Sequence, residues 1–218
     1  MSDTNNKPGV IGSYYVETVE KLKFIPTMMR TDRGNENGIM GSIQKCHPDA
    51  FAKKTHIAGR STAIQRIESL WGQLRQRVTG FYISLFQSMY LEEIIDLDNP
   101  RHIDCLRYCF GLIIQQDLER FVNEWNSHHI RKQRARNISG GKPNGLYDLP
   151  EKYGGKHCQK PVNLEHLQIL KDRYCEKPRL IDPDTEQFFL QMIPHQLPPT
   201  HVPQAIKLCL EILNKLDD

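Results

Sequence analysis

The chain has no stretch approaching the roughly eighteen uninterrupted apolar residues of a membrane-spanning helix. The nearest candidate, Cys109 to Ile114, is far too short, so a helical membrane anchor is not expected. No basic n-region followed by an apolar h-region opens the chain, which argues against secretion. Six cysteines stand at positions 46, 105, 109, 158, 175 and 209 without a repeating spacing. That pattern excludes a regular disulfide framework and predicts reduced thiols in the cytosol or nucleus. No internal repeat and no low-complexity tract occurs, so solenoid and linker architectures are also set aside. A strong excess of one charge is missing too. The formal net charge is only +3, with 25% charged residues, which permits a nucleic-acid partner without pointing to one.

What is present suits a globular protein. With 218 residues, 39% of them hydrophobic, the chain can form one sizeable domain with an appendage, or two small domains. Residues 1–9 read as a disordered start. From Val10 to Leu22 the apolar residues recur at helical spacing, and Pro26 stops that helix. Residues 27–32 are predicted as a short strand ending at Asp32. Gly34, Asn37 and Gly38 then supply turn chemistry before a short helix at Ile39–Ile43, and Thr55–Ile57 is a possible second strand.

The longest helical pattern runs from Ser61 to Met89, with Ser61 or Thr62 as its cap. Ile64, Ile67, Trp71, Leu74, Val78, Phe81, Tyr82 and Leu85 form one apolar stripe, predicted to be buried. Glu68 falls beside the stripe, on a polar strip with Gln65, Gly72, Arg75 and Thr79. An acid placed there is held by a core-packed helix while its carboxylate faces outward. Helical spacing resumes from His102 to Trp125. After Pro150 the chain turns to short helical pieces at Leu164–Tyr174, Asp184–Met192 and Val202–Leu216. The expected organisation is therefore a core at 10–150 and a helical C-terminal extension at 151–218, whose helices could dock a protein partner.

Asp32 at a strand end and Glu68 on a later helix have thirty-five residues between them. Acids so placed can converge on Mg²⁺ or Mn²⁺, and two such ions about 4 Å apart clamp an in-line phosphoryl displacement. Taken singly, each acid reads more simply as a solvated surface residue.

The segment Thr31-Asp32-Arg33-Gly34 with Glu36-Asn37, followed by Gln65-Arg66-Ile67-Glu68-Ser69-Leu70-Trp71, resembles the second and third acids of the integrase core domain of retroviral-integrase-like, DDE-type recombinases. Phe121-Val122-Asn123-Glu124-Trp125-Asn126 and Gly141-Lys142-Pro143 are similar to the closing helix and turn of that core, in the form found in transposon-derived eukaryotic proteins. The resemblance implies an α/β fold, α-rich and RNase H-like, and metal-dependent strand transfer on DNA. It implies Asp32 and Glu68 as catalytic metal ligands, Gln65 and Arg75 as DNA contacts beside them, and the oligomeric assembly common among such cores. It also implies a first acid on an opening strand. Ahead of Asp32 the only aspartate is Asp3, in the start segment, so the first strands and the first acid are expected to be missing and the core to be partial and inactive.

The basic segment His128–Lys142, with Arg131, Lys132, Arg134 and Arg136, suits phosphate contacts, and equally suits a solvated helix end. His102, Cys105 and Cys109 have a metal-like spacing but lack a recognisable fourth ligand, so core packing is the expectation. Trp71 and Trp125 could stack on bases, yet both fall in step with apolar neighbours and are assigned to the core.

Overall fold

The computed structural model describes residues 1–4, 6–45, 54–59, 65–132, 140–194 and 197–217. In chain order its elements are α1 (Pro8–Leu22), β1 (Phe24–Pro26), β2 (Met29–Thr31), α2 (Gly38–Gln44), β3 (His56–Ala58), α3 (Gln65–Leu74), α4 (Gly80–Leu91), α5 (Pro100–Ser127), α6 (Pro143–Asp148), β4 (Gln159–Pro161), α7 (Leu164–Tyr174), α8 (Pro183–Met192) and α9 (Val202–Asp217). The fold is helix-rich α/β, and no helix of the described residues is long and apolar enough to cross a membrane. The elements form two compact units. A mixed unit holds Ser2–Ser69 and His129–Pro178; a helical unit holds Met1, Leu70–His128 and Arg179–Asp218.

In the mixed unit, Pro8 opens α1 at a position where its missing N–H is not needed. Lys23, at φ 60°, closes the helix in the left-handed region, its N–H donating to the Val19 carbonyl at 2.7 Å. Two short sheets follow. β1 pairs antiparallel with β4, Ile25 opposite Lys160, and β2 pairs in parallel with β3, Arg30 opposite Ile57. Among the described residues the two sheets stay separate, each with two strands.

The core here is small. Val16, Val19, Ile43 and Leu167 are buried, with Tyr15, Ile39, Val162, Leu170 and Cys175 packed around them. Gln44 is fully buried beside it, and both ends of its amide are satisfied: Nε2 donates to the Pro26 carbonyl at 2.6 Å, and Oε1 accepts the Tyr15 hydroxyl. A 2.9 Å ion pair between Lys171 and Glu20 links α7 to α1.

The helical unit has the larger core. Phe110, Phe189, Ile212, Ala205 and three cysteines are completely buried in it. Asn99 caps α5 by accepting the Arg101 N–H at 3.0 Å, and Asp182 caps α8 by accepting the N–H groups of Asp184 and Thr185 at 3.1 Å. Phe86 and Phe110 meet edge to face at 5.0 Å between ring centres, and the Tyr82 hydroxyl donates to Asp117 Oδ2 at 2.5 Å.

The structure changes the expected stripe of the long helix. A π-helical turn, Arg75–Thr79, separates α3 from α4. The N–H of Gly80 donates to the Arg75 carbonyl, and a Cβ at position 80 would lie 2.6 Å from that oxygen. Glycine permits this close approach. A π turn sweeps through less angle per residue than an α turn, so an i, i+4 row stays on one face instead of drifting. The residues that pack inward are accordingly Leu70, Leu74, Val78, Tyr82, Leu85, Phe86 and Met89. Ile67, Trp71 and Phe81, assigned to the buried stripe from their spacing, are exposed, Trp71 by 55%. The caps proposed at Ser61 and Thr62, and Ile64, lie outside the described residues.

Candidate functional site

Asp32 follows β2 directly, at the end of the parallel pair, as its sequence context predicts. Its side chain is half-buried. Asn37 Nδ2 donates to Asp32 Oδ1 at 2.6 Å, and the Gly34 N–H donates to the same oxygen at 3.4 Å. Asn37 also reaches Glu36 Oε1 at 3.4 Å, so one amide sits between two carboxylates. This turn holds the Asp32 carboxylate in place by local bonds, the expected behaviour of an aspartate at the start of a tight turn.

Behind Asp32, Thr31 is buried and its hydroxyl donates to the Asp32 carbonyl at 2.9 Å. A hydroxyl has one proton, so the 3.0 Å contact between Thr31 Oγ1 and His56 Nε2 has the imidazole as donor. That assignment needs the proton on Nε2. Partial burial, reinforced by Lys45 and Lys54, moves His56 below its ordinary pKa and favours a neutral ring. The ring packs on Gly41, where an added Cβ would come within 2.6 Å of it. Sequence spacing identified β3 but not this role for His56.

Glu68 lies on α3 with its side chain exposed, and Gly72 and Arg75 along the same strip are exposed as well. It makes no ion pair among the described residues. Gln65 is the first described residue of α3. Arg131 and Lys132 are exposed just after Ile130, whose backbone bridges to Gly141, while Arg134 and Arg136 lie outside the described residues. Trp125 is half-buried against the helical core, stacked on Phe121 at 5.9 Å, as its spacing suggested.

The carboxylates are the hard oxygen donors that Mg²⁺ or Mn²⁺ requires. Their number is the obstacle. Among the described residues, no set of three His, Cys, Asp or Glu ligand atoms within 4.8 Å of one another includes Asp32 or Glu68. The described donors do not make a two-metal cradle.

Asp32 after a short parallel strand and Glu68 on α3 stand in a helix-rich α/β chain. Residues 1–142 match the family model of the integrase core domain, and the chain belongs to that family. No curated protein and no solved structure matches it.

Proposed function

We propose that this chain is a transposon-derived integrase-core protein that binds DNA and does not by itself carry out metal-dependent strand transfer. Under this reading β2, Asp32 and the helix of Glu68 are what this chain retains of an RNase H-like core spanning 10–150, with a helical extension at 151–218. Integrase core domains usually use divalent metals, and here Asp32 and Glu68 would be the ligands. The observation that carries the reading is that Asp32 Oδ1 is already engaged by Asn37 and Gly34, with no third ligand gathered around it among the described residues. An acid so engaged serves a turn as readily as a metal.

DNA contact is supported by side chains that face solvent. Arg75, Arg131 and Lys132 are exposed. Trp71, one turn before Arg75, presents a ring on which a base can stack. A role on chromosomal DNA would place the protein in the nucleus.

The test is duplex-DNA binding by the 218-residue chain across a salt series, with strand nicking measured in Mg²⁺ and in Mn²⁺. Affinity should fall linearly on a log–log plot, and reversing both Arg131 and Lys132 to Glu should flatten the slope by about two and weaken binding by about tenfold or more. Nicking above background would overturn the inactive assignment. Binding that is absent or insensitive to salt would instead favour a second reading, a protein-interaction module. Exposed Phe188 and Leu190 on α8 and Ile169 on α7 support that alternative.

A further inference from the structure

The cysteines bear on a different chemistry from the acids. Cys105 and Cys109 are four residues apart on α5, so they share one face, and Cys209 comes to them from α9. All three are completely buried, and their sulfur atoms lie within 4.8 Å of one another, Cys105 Sγ and Cys209 Sγ being 3.6 Å apart. A tetrahedral Zn²⁺ with Zn–S bonds of about 2.3 Å sets neighbouring sulfurs about 3.8 Å apart. The observed separation is close to that edge. It is well beyond the roughly 2.05 Å of a disulfide.

One buried thiol is an ordinary core residue. Three converging sulfurs from two helices, a hundred residues apart in sequence, are a ligand set, and no other such set occurs among the described residues. The electrostatics agree with the geometry. Hydrogen bonds from Cys105 and Cys109 pull the Cys209 thiol below its ordinary value, while Cys105 and Cys109 are pushed above theirs. A divalent cation would supply the charge that lets the buried thiols ionise.

We propose that Cys105, Cys109 and Cys209 form a structural Zn²⁺ site that clamps α5 to α9. Soft thiolates select Zn²⁺ or Cu(I) over hard cations. In a dry apolar core Zn²⁺ offsets two of the three thiolate charges, where Cu(I) would offset one. Binding releases the thiol protons to solvent, so occupancy rises with pH. His102 lies one turn before Cys105, but its Nδ1 accepts the Asp96 N–H at 3.0 Å, which leaves the ring proton on Nε2 and keeps His102 outside the ligand set. Sequence spacing exposed two of these ligands and missed Cys209, because nothing along the chain marks a contact made only by folding.

The experiment is elemental analysis of the full chain purified under reducing conditions from zinc-supplemented cells. About one Zn²⁺ per chain is expected, falling to below about a tenth in Cys105→Ser and Cys209→Ser and unchanged in Cys158→Ser, whose thiol is exposed and outside the cluster. Should the buried variants misfold, Co²⁺ titration of the reduced wild-type protein decides: thiolate-to-metal charge-transfer absorption saturating at one equivalent supports the site. Reduced, folded protein that takes up neither Zn²⁺ nor Co²⁺ would overturn the proposal. So would a Cys105–Cys209 disulfide found by mass spectrometry in protein purified without reductant and unaffected by added Zn²⁺.

Discussion

The two units stabilise themselves by different means. The helical unit buries large side chains, with Phe110 and Phe189 completely enclosed among residues of α4, α5, α8 and α9. Among the described residues the core cluster of the mixed unit is smaller, Val16, Val19, Ile43 and Leu167, and polar links surround it: Gln44 between Tyr15 and Pro26, Lys171 on Glu20, Thr31 on His56. Apolar burial is non-directional and scales with area, whereas each of these polar links contributes little on balance and depends on geometry. The acids sit in the unit with the smaller core. A site for a charged ligand needs polar groups and short strands near the surface, and those features limit how much apolar area the same unit can bury.

The contrast can be broken most directly by truncating each core. Phe110→Ala should cost about 3–5 kcal/mol, and Leu167→Ala about 2–3 kcal/mol because its smaller surroundings can collapse more easily. Urea unfolding of the two variants checks this; a larger loss for Leu167→Ala would reverse the comparison. A smaller effect is expected from Tyr82→Phe, which removes the hydroxyl donated to Asp117 in the helical unit. That change should cost about 1 kcal/mol in the same measurement, and a cost rivalling Phe110→Ala would mean the helical unit leans on polar links as well.

The smallest effect concerns His56. Its pKa is depressed in the folded protein, so the unfolded chain binds more protons and stability is gained as pH rises. The contribution is complete above the unfolded value of about 6.5 and is lost as pH falls through the folded value. Thermal melts between pH 5 and 8 should therefore show a shallow decline on the acid side that His56→Gln removes. An unchanged pH profile in that variant would show that the Thr31–His56 link does not hold the strand pair.

Local readings served well where a signal is carried by neighbours in the chain. The helices read at Val10–Leu22 and Asp184–Met192 fall within α1 and α8, and α7 spans Leu164–Tyr174 as its spacing predicts. Asp32 was placed at a strand end because Pro26 forces extended backbone ahead of it. The register of the long helix was not legible, since a single glycine at 80 admits a π turn and shifts which residues face inward. Trp71 moves from expected core to surface for that reason. The β1–β4 pairing was also hidden, because Gln159-Lys160-Pro161 has no strand pattern of its own.

By itself, then, the sequence determined most of the helices, the turns and the likeness to the integrase core domain. These depend on backbone preferences and short-range periodicity, which act over a few residues. Only the tertiary structure decided that Asp32 is held by Asn37 and Gly34, that His56 donates to Thr31 and that Cys209 joins Cys105 and Cys109. Long-range contacts of this kind arise when separate elements bury surface against each other, and spacing along the chain carries no record of which partners will meet.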